Sequence, residues 1–437
     1  MASELVRPAR PDDAGKPRVR ERYSALSLLR HALGGHRGWT PAWRDKAPKP
    51  AYDVVIIGGG GHGLATAYYL AREHGITNVA VLEKGWLGGG GTGRNTTIVR
   101  SNFMLEPNTY FTEWSMKLWE NLSQELNFNM MFSQRGVLNL AHTEGQLDAF
   151  ARRGNAMRLG GVDAELLSRE EVARRVPSLD VSPQARFPVM GGLLQPRAGV
   201  ARHDAVAWGY ARAADALGVD IIQNCEVTGI HRDGGAVTGV DTTRGPITAG
   251  KVAIAVAGHT TQLADMAGIR TPIESHVLQA VVSEPLKPTL DMVVTSGATH
   301  LYCSQTDKGE LVFGGDLEGY NSFAARGNLP TIQSLAGALT AMFPRASRLR
   351  MLRHWGGTVD MSMDGSPIIA KTPVDGLYLN GGWCYGGFKA TPASGWTFAH
   401  TIARDEPHPL NAPFTLERFH TGRVVDEKGM GPRPGAH

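Results

Sequence analysis

Four residues set the first chemical possibility in this chain: Gly58, Gly60, Gly63 and Glu83. The glycines fit a G-x-G-x-x-G pattern, and Glu83 follows the last of them by about twenty residues. A dinucleotide bridged by a pyrophosphate requires this spacing. Gly58 permits a tight turn, Gly60 lets the backbone approach the pyrophosphate, and Gly63 lets the next helix pack close to the preceding strand. A helix starting near His62 would aim its N–H groups and its positive dipole end at the phosphates. An acid at the end of the next strand would accept the ribose hydroxyls of an adenosine half. Glycine turns also occur without ligands, so the pattern has force only with strand, helix, strand and acid in register.

The elements that must position these residues are legible. Residues 52–57 form an apolar run rich in β-branched side chains, as in a strand buried on both faces. A helix is predicted over 62–74 and a second strand over 78–82, which places Glu83 at its carboxyl end. Further helices are predicted over 109–124, 144–159, 168–176, 203–217 and 395–403. Further strands are predicted over 136–141, 219–224, 251–257, 276–282, 311–313 and 378–380. Early, middle and late strands read as one α/β layer, and the segments between them as an inserted antiparallel sheet. The predicted fold class is α/β plus β, a Rossmann-like domain with an inserted mixed or antiparallel-sheet substrate domain. The expected segmentation is an N-terminal arm over 1–50, a discontinuous cofactor domain over 51–105, 195–275 and 350–410, a substrate domain over 106–194 and 276–349, and a tail over 411–437.

Composition narrows the classes. A chain of 437 residues, 42% hydrophobic and 20% charged, is ordinary for a soluble enzyme with a large core. Its 54 glycines cluster at 58–61, 88–91 and 386–387, which suits close backbone contact with a cofactor better than low complexity. The net charge is only +4, and much basic content lies in the first 48 positions, so no nucleic-acid partner is expected. Cys225, Cys303 and Cys384 have no C-x-x-C spacing, which disfavours a disulfide framework or a metal site and fits the cytoplasm. No apolar run approaches the ~20 residues that span a bilayer, so no membrane partner is expected. The arginine-rich first fifty residues lack the apolar core and cleavage site of a secretory signal. They read as an arm docking on a partner subunit, and composition suits a disordered leader equally well.

Two further signals favour a flavin over a nicotinamide. A second glycine-rich loop, 88–93, leads into Arg94-Asn95-Thr96-Thr97. A late turn runs Gly381-Gly382-Trp383-Cys384-Tyr385-Gly386-Gly387-Phe388-Lys389. A flavin dinucleotide must be covered beyond its pyrophosphate, and a late glycine turn opening a helix can bring a second dipole to the ring. Each is compatible with a plain turn by itself; together with the first motif they point to FAD.

Over 52–426 the chain resembles the amine-oxidising flavoproteins that include sarcosine oxidases and D-amino acid oxidases, most closely the β subunits of heterotetrameric bacterial sarcosine oxidases. The stretches that carry the resemblance are 52–70, 78–86, 94–102, 132–142, 195–208, 219–227, 355–371 and 381–392. It implies a D-amino acid oxidase-like fold and noncovalent FAD on the glycine motif, with Glu83 on the ribose. It also implies FAD contacts at Gly61, His62, Thr96, Ile98, Val227, Gly386, Gly387 and Lys389. Gly91 departs from the family, which often has Asn there, so a side-chain contact gives way to backbone. The resemblance further implies covalent FMN on His203, although local sequence alone favours an ordinary helix N-terminal histidine there. Arg100 and Lys389 match the residues that hold the substrate carboxylate; read locally, each is equally a structural charge. Tyr302 matches a cavity aromatic or is a core residue. His259 reads as a loop residue near FAD or a helix cap, and Asp360 and Asp364 as turn carboxylates.

What the resemblance implies is oxidative demethylation of sarcosine, with FAD as hydride acceptor, electron transfer to FMN and reduction of O2 to hydrogen peroxide. The one-carbon unit would pass to tetrahydrofolate or leave as formaldehyde. Partner subunits α, γ and δ are implied, with NAD and zinc confined to partners. The alternatives are a stand-alone FAD oxidase or dehydrogenase of another N-methyl amine, a flavin subunit that only relays electrons, and a nicotinamide-binding module.

Overall fold

The strand Ala51–Ile57 has no solvent face along its second half, because Val54, Val55, Ile56 and Ile57 are all buried. In the computed structural model it pairs in parallel with Val79–Leu82 on one side and Ile247–Ile254 on the other. Asp220–Ile222 and Leu377–Gly381 extend this parallel core in the two directions. Ile57 stands level with Leu82 and Ile254, Leu82 with Ile222, and Ile254 with Leu379. Five strands therefore present their carboxyl ends along one edge, where open α/β sheets bind ligands. Ile368–Lys371 closes one edge antiparallel, and the pair Val227–Asp233 and Ala236–Thr242 branches from Ile247–Ile254.

The structure describes residues 25–38 and 41–427. The chain divides into a unit up to Pro41 and a unit from Ala42 onward. In the first, the helix Ala25–Leu33 carries exposed Leu26, Leu28, Leu29 and Leu33; the rest of the expected arm within 1–24 lies outside the described residues. Among the described residues no helix is long and apolar enough to cross a membrane.

On the first sheet, the helix Gly61–His74 packs against the helix Gly387–Arg404. A side chain on Gly395 would overlap Ala65, so glycine sets how closely these two helices approach. The late helix starts well before the predicted 395. Pro392 lies inside the helix, where it removes one N–H. Its first turn is held from outside: Ser115 Oγ and Trp119 Nε1 donate to the Lys389 carbonyl at 2.7 and 2.8 Å.

The second sheet also has eight strands, ordered Met351–Ser362, Ile273–Pro285, Glu310–Leu317, Leu301–Gln305, Val293–Ser296, Val137–Ala141, Gly191–Gln195 and Glu165–Ser168. It is antiparallel except where Val293–Ser296 meets Val137–Ala141. Membership departs from the expected segmentation twice. Met351–Ser362, expected with the cofactor segments, pairs along nearly its whole length with Ile273–Pro285. Glu106–Glu125, expected with the substrate segments, buries Phe111, Trp114 and Trp119 in the core shared by the helices of the first layer.

Candidate active site

A cleft of about 940 Å³ opens at the carboxyl edge of the first sheet and is lined by residues of both sheets. This is near the upper end of small-molecule sites, roughly 300–1,000 Å³. One end is the glycine turn. Gly58 has φ +113°, and a side chain there would overlap the Ala255 carbonyl. A Cβ on Gly63 would overlap the Gly58 carbonyl, so Gly63 serves packing behind the turn and does not line the cleft. Gly60 and Gly61 do line it, and Gly61 N–H donates to Thr92 Oγ1 at 2.9 Å, which ties the second glycine loop to the first. Glu83 accepts from Gly59 N–H and Gly85 N–H, both at 2.9 Å, one on each oxygen. Each oxygen keeps a lone pair for a hydroxyl. Backbone kept free of Cβ atoms, a helix N-terminus and an acid at the strand end fit the adenosine and pyrophosphate of FAD.

Beside this turn, the His62 ring stacks on Trp383 with centroids 4.7 Å apart. Trp383 Nε1 donates to Asn380 Oδ1 at 2.8 Å, and Asn380 Nδ2 donates to Ser394 Oγ at 2.8 Å. The Ser394 hydroxyl is in turn hydrogen-bonded to His62 Nδ1 at 2.7 Å. Burial pushes the imidazole down to about 4, so His62 is neutral at pH 7.

The other end of the cleft is made of side chains. Arg100 follows the short strand Ile98–Val99, donates to Asn102 Oδ1, and lies over the Phe103 ring at 5.0 Å. The next residue anchors it: Ser101 N–H donates to Gln195 at 2.9 Å, and Ser101 Oγ donates to buried Glu113 at 2.9 Å, which Arg197 pairs at 2.7 Å. Lys389, in the first turn of the late helix, donates from Nζ to the Tyr385 carbonyl. Burial, then the neighbouring Arg100 charge, holds the Lys389 ammonium well below its ordinary range. Burial, then the Arg153 charge, brings Arg100 down to about 10. Among the described residues neither Arg100 nor Lys389 has a carboxylate within ion-pair distance. A half-buried guanidinium and a buried ammonium, with only the Glu427 charge acting on Arg100 from beyond ion-pair distance, make a site for an anion.

The structure brings most of the expected residues together: Gly58, Gly60, Gly61, His62, Glu83, Gly91, Thr96, Ile98, Arg100, Val227, Tyr302, Gly387 and Lys389 all line the cleft. Tyr302, on Leu301–Gln305, is pushed up to about 12 by burial and stays a protonated phenol. His259 lines the cleft and stands at the N-cap position of the helix Thr260–Met266, where its side chain makes no capping hydrogen bond. Gly386 caps the late helix, with its N–H on the Trp383 carbonyl at 2.7 Å, and does not line the cleft. His203 is the first residue of the helix His203–Ala216, outside the cleft and half-buried; burial lowers its pKa and keeps it neutral. Asp364 is structural, pairing with buried Arg418 at 2.8 Å. Asp360 lines the cleft while accepting from Trp383 N–H, and burial raises it to about 6.

Sequence reasoning missed Arg153, Asn139, Thr295, Ser296 and His300, which line the side-chain end. Arg153 sits beside Arg152 and looks like a solvated charge. Its spacing from Phe150 and Met157 on Glu144–Leu159 was the available sign that it faces inward.

Residues 53–401 match the protein-family model described as DAO, FAD dependent oxidoreductase. The chain is 65% identical over 416 residues to the sarcosine oxidase subunit beta of Rhizobium meliloti (strain 1021), covering 95% of this chain and 100% of that protein. It is 56% identical over 387 residues to the subunit of the same name from Arthrobacter sp, covering 89% and 96% of the two chains. Among solved structures it is similar to L-proline dehydrogenase from P. horikoshii, with TM-score 0.80, 29% identity and 86% and 99% coverage. Glycine oxidase from Geobacillus kaustophilus shares the fold at TM-score 0.76, 23% identity and 85% and 99% coverage. The expected fold class is the one these proteins share.

Proposed function

The chain belongs to the FAD dependent oxidoreductase family, and on that premise we propose that it oxidises the N-methyl group of sarcosine as the flavin-bearing subunit of a larger enzyme. The observation that carries this reading is the pair Arg100 and Lys389. Remote in sequence, half-buried Arg100 and buried Lys389 meet in one cleft without an ion-paired carboxylate. An amino acid carboxylate completes them. Bound FAD supplies the acceptor for the two electrons and the hydrogen that leave the methyl carbon. The chain's own residues bind and orient. Arg100 offers a planar fork to the carboxylate and Lys389 a point charge. Tyr302 and Tyr385 wall the cleft as uncharged phenols, each pushed up to about 12 by burial. The flavin itself is held by Gly58, Gly60, Gly61, Glu83, Thr96, Ile98, Val227 and Gly387.

His203 is assigned to covalent FMN. Its neutral imidazole is a nucleophile toward an activated flavin methyl. It lies apart from the FAD cleft, so the two flavins occupy separate places. The relatives' name as a β subunit supports an assembly with other chains. Partners α, γ and δ, NAD and zinc on those partners, tetrahydrofolate as one-carbon acceptor, and reduction of oxygen to hydrogen peroxide complete the reading.

Anaerobic addition of sarcosine to the purified protein tests the central point: the oxidised FAD absorbance should bleach, and a persistent spectrum refutes the function. Acid precipitation tests the second flavin. One flavin should be released and one retained on the protein, and His203→Ala should abolish only the retained one.

A further inference from the structure

Besides Arg100 and Lys389, three cations line the cleft: Arg94 donates to the Gly89 and Gly90 carbonyls, Lys84 lies against the His259 ring, and Arg153 remains. Arg153 projects from Glu144–Leu159 and lines the cleft with Arg100 and Lys389. That helix packs on the strands Val137–Ala141, Glu165–Ser168 and Gly191–Gln195 of the second sheet. Arg153 therefore belongs to the side-chain end and not to the glycine cradle. It is half-buried, and among the described residues it forms no hydrogen bond or ion pair. The acid whose charge reaches it, Glu427, is already committed to other donors. Glu427 accepts from Met104 N–H at 2.9 Å on one oxygen, and from Leu105 N–H at 3.2 Å and Asn108 Nδ2 at 3.1 Å on the other.

The neighbouring wall is polar. Asn139, Thr295, Ser296 and His300 line the same cleft, and Thr295 Oγ1 donates to Asn139 Oδ1 at 2.8 Å. Asp316 stands 3.9 Å from the His300 ring. A desolvated guanidinium facing a polar cavity, with a second guanidinium sharing that cavity, is stabilised only by an anion. Arg100 and Lys389 suffice for one carboxylate; Arg153 remains.

We propose that Arg153 forms a second anion subsite, so that the cleft takes small ligands with two carboxylates, one held by Arg100 and Lys389 and the other by Arg153. The class includes secondary amines with an acidic group on each arm. The inference rests on the carboxylate role of Arg100 and Lys389 proposed above.

Butyrate and succinate have the same carbon count and differ by one carboxylate. Each is titrated into the purified holoenzyme at neutral pH, and binding is read from the perturbation of FAD absorbance. Succinate should bind about tenfold or more tighter than butyrate, the effect of one charge-assisted contact. Arg153→Gln should remove that ratio, and Arg153→Lys should keep part of it. Equal affinities in the unmodified protein overturn the subsite. So does a ratio that survives Arg153→Gln, or a variant that weakens both ligands alike. If Arg153→Gln does not fold, the ratio in the unmodified protein and its partial loss in Arg153→Lys decide the matter. Failure of the underlying reading shows separately: sarcosine would leave the flavin oxidised, or Arg100→Ala would leave both ligands binding as before.

Discussion

At its dinucleotide end the cleft is built of backbone: glycines without side chains, N–H groups and one strand-end acid, all within a single β-α-β unit. At the other end it is built of side chains. Arg100, Arg153 and Lys389 come from three remote elements, and among the described residues none of them is in an ion pair with a carboxylate. The first end selects by shape, because the space a Cβ would take must stay open. The second selects by charge, because each desolvated cation is stabilised by an arriving anion. The two ends should therefore fail differently when altered.

The largest effect is expected at the backbone end. In Gly58→Ala the new methyl would overlap the Ala255 carbonyl, and the residue would hold a φ of +113°. Such backbone strain alone is about 1–3 kcal/mol, and the overlap forces the turn itself to move. The variant should lose most of its FAD and melt at a lower temperature, read from the flavin-to-protein absorbance ratio and a thermal scan. A variant with full flavin content would break the contrast at once.

Next comes the charge end. Arg100→Ala should raise the sarcosine half-saturation about 100-fold, or about 2.8 kcal/mol, as expected for removing a bidentate charge-assisted contact. Its FAD content should stay near that of the unmodified protein. Steady-state kinetics with the absorbance ratio separates the two outcomes, and unchanged kinetics would remove Arg100 from the substrate site.

This contrast also explains what could be read from the sequence. Gly58, Gly60, Gly63 and Glu83 are legible because backbone sites are local and obey spacing rules. The parallel strands beside them follow from continuous apolar runs. Arg100 and Lys389 are locally indistinguishable from structural charges, and only the resemblance to a family singled them out. For Arg153 the spacing from Phe150 and Met157 marks an inward face, but nothing near it in sequence shows what its helix packs on. Met351–Ser362 was misassigned for the same reason: its partner Ile273–Pro285 is remote, and pairing across that separation leaves no local mark. The late helix begins before the predicted 395 because its first turn relies on Ser115 and Trp119 from another helix, which leaves no local mark.

A third, pH-dependent effect sharpens the charge end. Burial and Arg100 hold Lys389 well below its ordinary range in the free protein. A carboxylate placed against it favours the ammonium and raises that pKa. Binding between the two values therefore takes up a proton. The half-saturation should be lowest below the free-protein pKa, rise with pH up to the bound-state pKa, and then level off. Lys389→Met should flatten this rise across the range where FAD stays bound. A rise of the same shape in Lys389→Met would assign the titration to another group.

The smallest effect should come from the scaffold between the ends. Ser115 Oγ and Trp119 Nε1 both donate to the Lys389 carbonyl, so removing one leaves the other in place. Ser115 is fully buried, and its alanine variant loses only the hydroxyl. A neutral hydrogen bond contributes about 0.5–1.5 kcal/mol. Ser115→Ala should thus raise the sarcosine half-saturation about two- to tenfold, within the range 1.4 kcal/mol allows. A merely structural role would lower stability and leave the pH profile alone. A positioning role should shift the midpoint of the Lys389-dependent rise, because the first turn that carries its Nζ is less firmly held. FAD content tells whether the disturbance stays at one end. Loss of flavin in Ser115→Ala would mean that the late helix transmits strain to the glycine turn through its contact at Ala65 and Gly395, and that the two ends answer to one element.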